Sequence, residues 1–502
     1  MPRHPLSQRI ADVLDLRPNS PAIEYDGQWI SWSQVATTAW RIASLTADHA
    51  AGIGMLLRNR PGQVAAFLGV LLGGGTVVTI NPSRGDERTR DDIAALRLPL
   101  IIGEPDDLAT LVAPGTPTVP ISGPISGPIS GPISGVLDDT GSARHTTGAV
   151  PRSDVAVRML TSGTTGPPKR IDLSYDMLAR SVMGPDPDRA PAPTELRRGV
   201  AIVNSPLVHI GGVFRVLQCV AEARSFVLLE RFELNAWAEA VRKHRPRTVS
   251  LVPAALRTVL HSDLTRTDLE SLRAVTCGTA PLSADDADAF TEKFGVAVLT
   301  SYAATEFGGG VAGWTLADYQ EHWRTKRGSV GRANPGAQLR VVDAKGTTLG
   351  PDEVGLLEVK PGQFGPSAMW MRTTDLARID ADGFVWIVGR ADQAIIRGGF
   401  KVMADDVRIA LEGHPAVAGA AVVARSDERL GETPVAMVEL RESAATDVDT
   451  LVEYLGKRLA RYEIPTDIAI VDTIPRTPSG KADLNAVRRF FSESAAHSDH
   501  AR

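Results

Sequence analysis

Met159-Leu-Thr-Ser-Gly-Thr-Thr-Gly-Pro-Pro-Lys-Arg170 is the stretch on which the reading of this chain turns. An apolar run, Val155 to Leu160, stops in a loop of hydroxyls and glycines that ends on one lysine. Gly163 and Gly166 let backbone N–H groups approach an anion closely, the hydroxyls of Thr161, Ser162, Thr164 and Thr165 add donors, and Lys169 adds charge. Such a loop handles phosphate. It is not a Walker A loop, because Pro168 stands where a glycine precedes the lysine and Arg170 where Ser or Thr follows it. On its own it is also compatible with a plain flexible turn.

Outward from this loop, short β-rich runs alternate with helical patterns. GIGMLL (52–57), RPGQVAAFLGVLLG and TVVTI (76–80) lie before it; GVAIVN (199–204), SFVLLE (225–230), TVSLV (248–252), LRAVTCG (272–278) and VAVLTSY (296–302) lie after it. Strand–helix–strand alternation predicts an α/β fold with helix-flanked, largely parallel sheets. The longest uncharged run, Val64 to Ile80, is split by Gly73-Gly74-Gly75 and reads as a buried helix–turn–strand, not a membrane span. Residues 113–154 differ: PISG occurs four times in succession from Pro120 to Gly135. A unit so rich in Pro, Gly and Ser cannot build a core, so a solvated loop is expected, with a polyproline-type recognition segment as the alternative. Composition changes again near Gly389-Arg390-Ala391-Asp392. The expectation is a large N-terminal domain, 1–390, and a small α+β domain, 391–502, joined at a hinge and ending in a charged helix from Ala482 to Phe491.

Bulk properties narrow the class. The 502 residues are 43% hydrophobic and 23% charged, enough for two or three domains of ordinary globular composition. A net charge of −5 gives no general basic field for nucleic acid. Cys219 and Cys277 are too few for a disulfide framework, fit a reducing cytoplasm, and read as small core residues. MPRHPLSQRIADVLDL at the start has no apolar h-region, so no secretory signal is expected.

Further motifs follow. Pro206-Leu-Val-His209 comes after a strand-like run, and Gly278-Thr279-Ala280-Pro281 after another. In Tyr302-Ala-Ala-Thr305-Glu306 a carboxylate beside a hydroxyl at a strand end can hold Mg²⁺ bridging phosphate oxygens. Asp375 closes Arg372-Thr-Thr-Asp375, Arg390 closes Gly383-Phe-Val-Trp-Ile-Val-Gly-Arg390, Gly398-Gly399 lies in a loop-like run, and Lys481 ends Pro475-Arg-Thr-Pro-Ser-Gly-Lys481. Each has a bland reading: a structural histidine, a surface Thr-Glu pair, an exposed Gly-Gly hairpin, a solvated lysine.

Together and in this order, from about Ala22 to Arg489, these motifs resemble the acyl-CoA synthetase, luciferase and non-ribosomal adenylation-domain superfamily. Its signature loop, (Y/L)TSGTTGxPKG, differs here only at Arg170; Thr279, Ala303 and Thr374 also replace family glycines. The resemblance implies that His209 lines the acyl pocket and that Gly278–Pro281 and Tyr302 lie against adenine. It implies that Thr305 contacts the α-phosphate, Glu306 takes the metal, and Asp375 and Arg390 hold the ribose. Asp392 matches the hinge, Gly398-Gly399 the loop that swings in for thioester formation, and Lys481 the lysine that reaches the α-phosphate and the substrate carboxylate. The implied cofactors are ATP, Mg²⁺ and coenzyme A. Ile210-Gly-Gly-Val-Phe214 lacks the aspartate of amino-acid-activating members, and Phe307-Gly308-Gly309-Gly310-Val311 resembles fatty-acid and large-ring acid ligases, its glycines being expected to leave room. The expected activity is therefore a cytoplasmic acyl-CoA ligase for a hydrophobic acid. An enzyme loading an acyl carrier protein or another nucleophile, and an inactive nucleotide-binding homologue, are the alternatives.

Overall fold

The computed structural model describes residues 3–46, 52–83, 86–122, 154–160, 169–278, 280–397, 400–427, 430–442, 444–477 and 480–498. Helix Pro61–Leu72 shows how sequence sets local structure. Proline opens it, where the missing N–H costs no bond, and all its residues are buried. Gly73 to Gly75 then turn the chain into strand Val77–Ile80. The long uncharged run is thus a core helix–turn–strand. Gly69 is required by packing: a Cβ there would lie 2.5 Å from the Ala39 carbonyl oxygen of helix Trp32–Thr46.

Helix Pro61–Leu72 feeds a six-stranded sheet. Its order is Thr118–Pro120, Ile101–Gly103, Ile53–Leu56, Val77–Ile80, Val155–Leu160 and Arg170–Ser174. The pairs are parallel except the last, where Leu160 faces Arg170 and closes an antiparallel hairpin around the glycine-rich loop. A second sheet runs Thr248–Leu251, Ala274–Cys277 and Ala297–Ala304 in parallel, then Gly309–Gly313 and Arg332–Ala333 antiparallel. Arg197–Val203 and Arg224–Leu228 join Pro21–Tyr25 and Gln28–Ser31 in a third. An antiparallel meander, Gln338–Val342, Gly355–Lys360, Met371–Ile379 and Val385–Arg390, completes the large domain.

The 3₁₀ turn Ala391–Gln393 leads from that meander into a new sheet that begins with Ala394–Arg397 and centres on Val417–Asp427 and Gly431–Leu440. Helices Ala404–Glu412 and Val448–Gly456 pack on it around a core of their own. The molecule is therefore α/β, with a large N-terminal and a small C-terminal domain.

Two expectations need correction. The low-complexity loop does not start at Ala113: Thr118–Pro120 pairs with Ile101–Gly103, and Val119 and Ile121 are buried. Their alternation with polar residues supplies a sheet edge that the repeat disguised. Residues 123–153, with most of the PISG units, lie outside the described residues. The last helix spans Leu484–Ser498, not Ala482–Phe491, since Ala482 is tied to Arg476 in an isolated bridge. Cys219 and Cys277 are both buried, and burial pushes each thiol up to about 12. Among the described residues no helix is long and apolar enough to cross a membrane.

Candidate active site

Strand Ala297–Ala304 runs into the 3₁₀ turn Thr305–Phe307, whose Phe307 is buried beneath Tyr302 with ring centroids 5.9 Å apart. This anchors the turn and leaves Glu306 exposed at the strand end. The Tyr302 hydroxyl donates to the Asp375 carboxylate, and burial raises the phenol's pKa, so it stays a donor. Asp375 faces Arg390 across neighbouring strands of the meander, with Arg390 Nε 3.9 Å from its carboxylate. Thr373 fixes the bend: its hydroxyl accepts from Asp375 N–H at 3.0 Å and donates to the Leu357 carbonyl at 2.9 Å. Thr374, where the family has glycine, accepts from Arg390 Nη2 at 2.7 Å, so this departure gains a partner.

Lys481 comes from the small domain. The Thr477 N–H donates to the Lys481 carbonyl at 2.7 Å, holding the turn that presents the side chain. Burial first, then repulsion from Arg390, lowers the ammonium pKa, while Glu306 and Asp375 act against the shift. Lys481, Glu306, Asp375 and Arg390 thus share one electrostatic neighbourhood, although Lys481 is separated from the others by more than 90 residues of sequence.

His209 is the N-cap residue of helix Ile210–Ala221, with its carbonyl accepting from Gly212 and Val213 N–H. Asn59, which sequence reading missed, sets this corner. Its side chain accepts from Leu207 N–H at 2.8 Å and donates to the carbonyls of Ser205 and Leu229 at 2.9 and 3.1 Å. An asparagine between Arg58 and Arg60 at a strand-to-helix junction was the only signal. Gly278 ends strand Ala274–Cys277 against Ser301, where a Cβ would lie 2.7 Å from the hydroxyl. Ala280 and Pro281 follow, both exposed.

Lys169 leads directly into the hairpin strand that Arg170 begins. Arg170 forms a bidentate pair with Asp92 at 2.7 and 2.8 Å, so the residue that breaks the signature anchors the loop's end. Asp392 lies in the turn between the two sheets. Thr161, Ser162, Gly163, Thr164, Thr165, Gly166, Thr279, Gly398 and Gly399 lie outside the described residues.

The three glycines differ in the space beside them. A Cβ on Gly308 would lie 2.8 Å from Met177 Cε, on Gly309 3.5 Å from Gln363 Nε2, and on Gly310 3.3 Å from Asn334 Nδ2. At φ +71 Gly308 serves the turn itself.

Glu306 at a strand end, a half-buried lysine from the second domain and the Tyr302–Asp375–Arg390 cluster thus come together. The chain belongs to the AMP-binding enzyme family: the model of that family matches residues 11–365, and the AMP-binding enzyme C-terminal domain matches 409–481. It is 32% identical over 349 residues to 4-coumarate–CoA ligase-like 8 of Arabidopsis thaliana, covering 66% of this chain and 62% of that protein. Indoleacetate–CoA ligase of Aromatoleum aromaticum is 28% identical over 97% of this chain and 98% of its own length. In fold, ATP-bound MatB from Rhodopseudomonas palustris superposes with a TM-score of 0.81 at 24% identity, over 98% of this chain and 99% of that one.

Proposed function

We propose that this enzyme activates a carboxylic acid with ATP, releasing pyrophosphate, and transfers the acyl group from acyl-AMP to coenzyme A. The observation that carries the reading is the placement of half-buried Lys481, from the small domain, in the electrostatic reach of Glu306, Asp375 and Arg390. A carboxylate and ATP repel one another, and the attacking oxygen is a weak nucleophile. The site must therefore neutralise charge and align the reactants. Lys481 serves both ends, since an ammonium at this place attracts the acid's carboxylate and the α-phosphate together. Asp375 and Arg390 hold the ribose, and Tyr302 keeps Asp375 oriented. The hydroxyls of residues 161–165 and Lys169 cradle the phosphates, and Thr305 contacts the α-phosphate. His209 borders the acyl end.

Among the described residues no three His, Cys, Asp or Glu side chains gather into a metal cluster. That suits Mg²⁺, which takes most ligands from phosphates and water and needs one or two carboxylates. Glu306 would hold it, and the bound ion would neutralise charge on the phosphates.

Rotation at Asp392 then withdraws Lys481 and brings Gly398-Gly399 to the site, where thiol attack expels AMP. The relatives' names favour an aromatic or otherwise largely apolar acid. Two buried free cysteines suit a reducing cytoplasm.

ATP–pyrophosphate exchange over a panel of acids, followed by mass detection of acyl-CoA, tests the reading. Lys481→Ala should slow exchange by a factor of about 10²–10³ while transfer from supplied acyl-AMP survives. Equal loss of both half-reactions would remove Lys481 from this role. Exchange without acyl-CoA would favour a carrier protein or other acceptor.

A further inference from the structure

Helix Ile210–Ala221 carries an unusual stripe. Val213, Val216, Leu217 and Val220 are buried, as expected of a core helix. Gly211, Arg215, Gln218 and Glu222 recur at spacings of three and four, so they share the other side. That side is half-buried. Arg215 reaches across to strand Ala274–Cys277, where its Nη2 donates to Thr276 Oγ1 at 2.8 Å; Nη1 donates to Gln218 Oε1 at 3.0 Å.

Both acceptors are neutral. Among the described residues Arg215 has no carboxylate partner. Glu222, the carboxylate whose charge it feels, is already held by Arg197 at 2.6 Å and Arg224 at 3.1 Å. A guanidinium has five N–H donors, and two are used. Surrounding protein strips its hydration and lowers its pKa. An uncompensated cation so placed costs stability, which argues for a ligand that repays it.

The cation is also reachable. Gly211, Arg215, Gln218, Thr276, Gly278 and Ser301 all keep some accessible surface. Arg215 spans the cleft between its helix and strand Ala274–Cys277 through its bond to Thr276. A Cβ on Gly211 would meet nothing closer than 3.8 Å, so the space is open there. Arg215 lies about 9 Å along the helix from His209.

We propose that Arg215 binds a second carboxylate on the acid this enzyme activates, making the substrate a dicarboxylic acid with a largely apolar body. This rests on the adenylating reading of the site. One carboxylate meets ATP near Lys481; the other ends in the cleft on Arg215, with Gln218 and Thr276 holding the guanidinium in place.

The test is ATP–pyrophosphate exchange with matched acids: hexanedioate against hexanoate, and 3-(4-carboxyphenyl)propanoate against 3-phenylpropanoate. A charged hydrogen bond to a buried cation should favour the diacid by about 10- to 100-fold in kcat/KM. Arg215→Gln should erase that ratio, chiefly through KM, and Arg215→Lys should restore part of it. Diacid should raise the Tm of the wild type and not of Arg215→Gln. Without ligand, Arg215→Gln should unfold no earlier than the wild type, since no carboxylate is stranded; marked destabilisation would point to a structural role and overturn the proposal. So would wild-type preference for the monoacids, or a ratio that Arg215→Gln leaves unchanged. Exchange with no acid at all would instead overturn the adenylating reading, and this inference with it.

Discussion

At the scale of single residues, the site's charges divide between what a sequence displays and what it hides. Glu306, Asp375 and Lys481 stand in motifs that are read directly. Their mutual proximity is not, because it depends on docking of the small domain. Asn59 and Arg215 were invisible for a related reason: each acquires meaning from partners more than 60 positions away in sequence. Lys481 yields a prediction of sign. Its lowered pKa means that the cation is lost at a lower pH than in an ordinary lysine. If adenylation needs the cation, activity is complete on the acid side and falls as pH rises through that value. The alkaline limb of kcat/KM for pyrophosphate exchange should report it in the free enzyme. Lys481→Arg, where residual activity permits, should move the limb upward. A limb that stays put in that variant would assign it to another group.

At the scale of elements, periodicity located eight strands of the large domain within a residue or two, because each is a short apolar run bounded by turn residues. It failed where composition misled. Thr118–Pro120 borders a repeat that looks unable to pack, yet its Val119 and the adjoining Ile121 fill the sheet's flank. Gly69 is a glycine that packing requires. Gly69→Ala should destabilise the large domain by about 1–3 kcal/mol, because the added methyl meets backbone of the Trp32–Thr46 helix, which cannot swing aside. Denaturant unfolding monitored against the wild type checks this, and an unchanged midpoint would mean that the helices separate without cost.

At the scale of the whole molecule, the two domains meet through a partly buried ion network that no motif announces. Arg257 donates to Asp286 at 2.7 Å within the large domain and to Glu412 of the small one at 2.8 Å. Arg408 also holds Glu412, at 2.6 Å. Removing one member strands the others away from water, which is costly. The network should therefore bias the molecule toward the orientation that places Lys481 in the electrostatic reach of Glu306, Asp375 and Arg390. Arg257→Gln is expected to slow adenylation about tenfold in single-turnover measurements, with transfer from supplied acyl-AMP affected less. Equal slowing of both steps would show that the contact does not select between orientations.

The edge strand Thr118–Pro120 has a last consequence. It and Val155–Leu160 stand at positions one and five of the six-stranded sheet, so the chain leaving one must cross four strand spacings, roughly 19 Å, to reach the other. About six extended residues cover that lateral distance, and the return to the start of a parallel strand raises the need to a dozen or more, still fewer than separate Ser122 from Asp154. The sheet therefore constrains the two ends of the segment and sets only a minimum on its length. A tandem unit of whole codons inserted there can be gained or lost by replication slippage without shifting the reading frame. The copy number of PISG is thus free to drift between lineages while the ligase scaffold on either side stays the same.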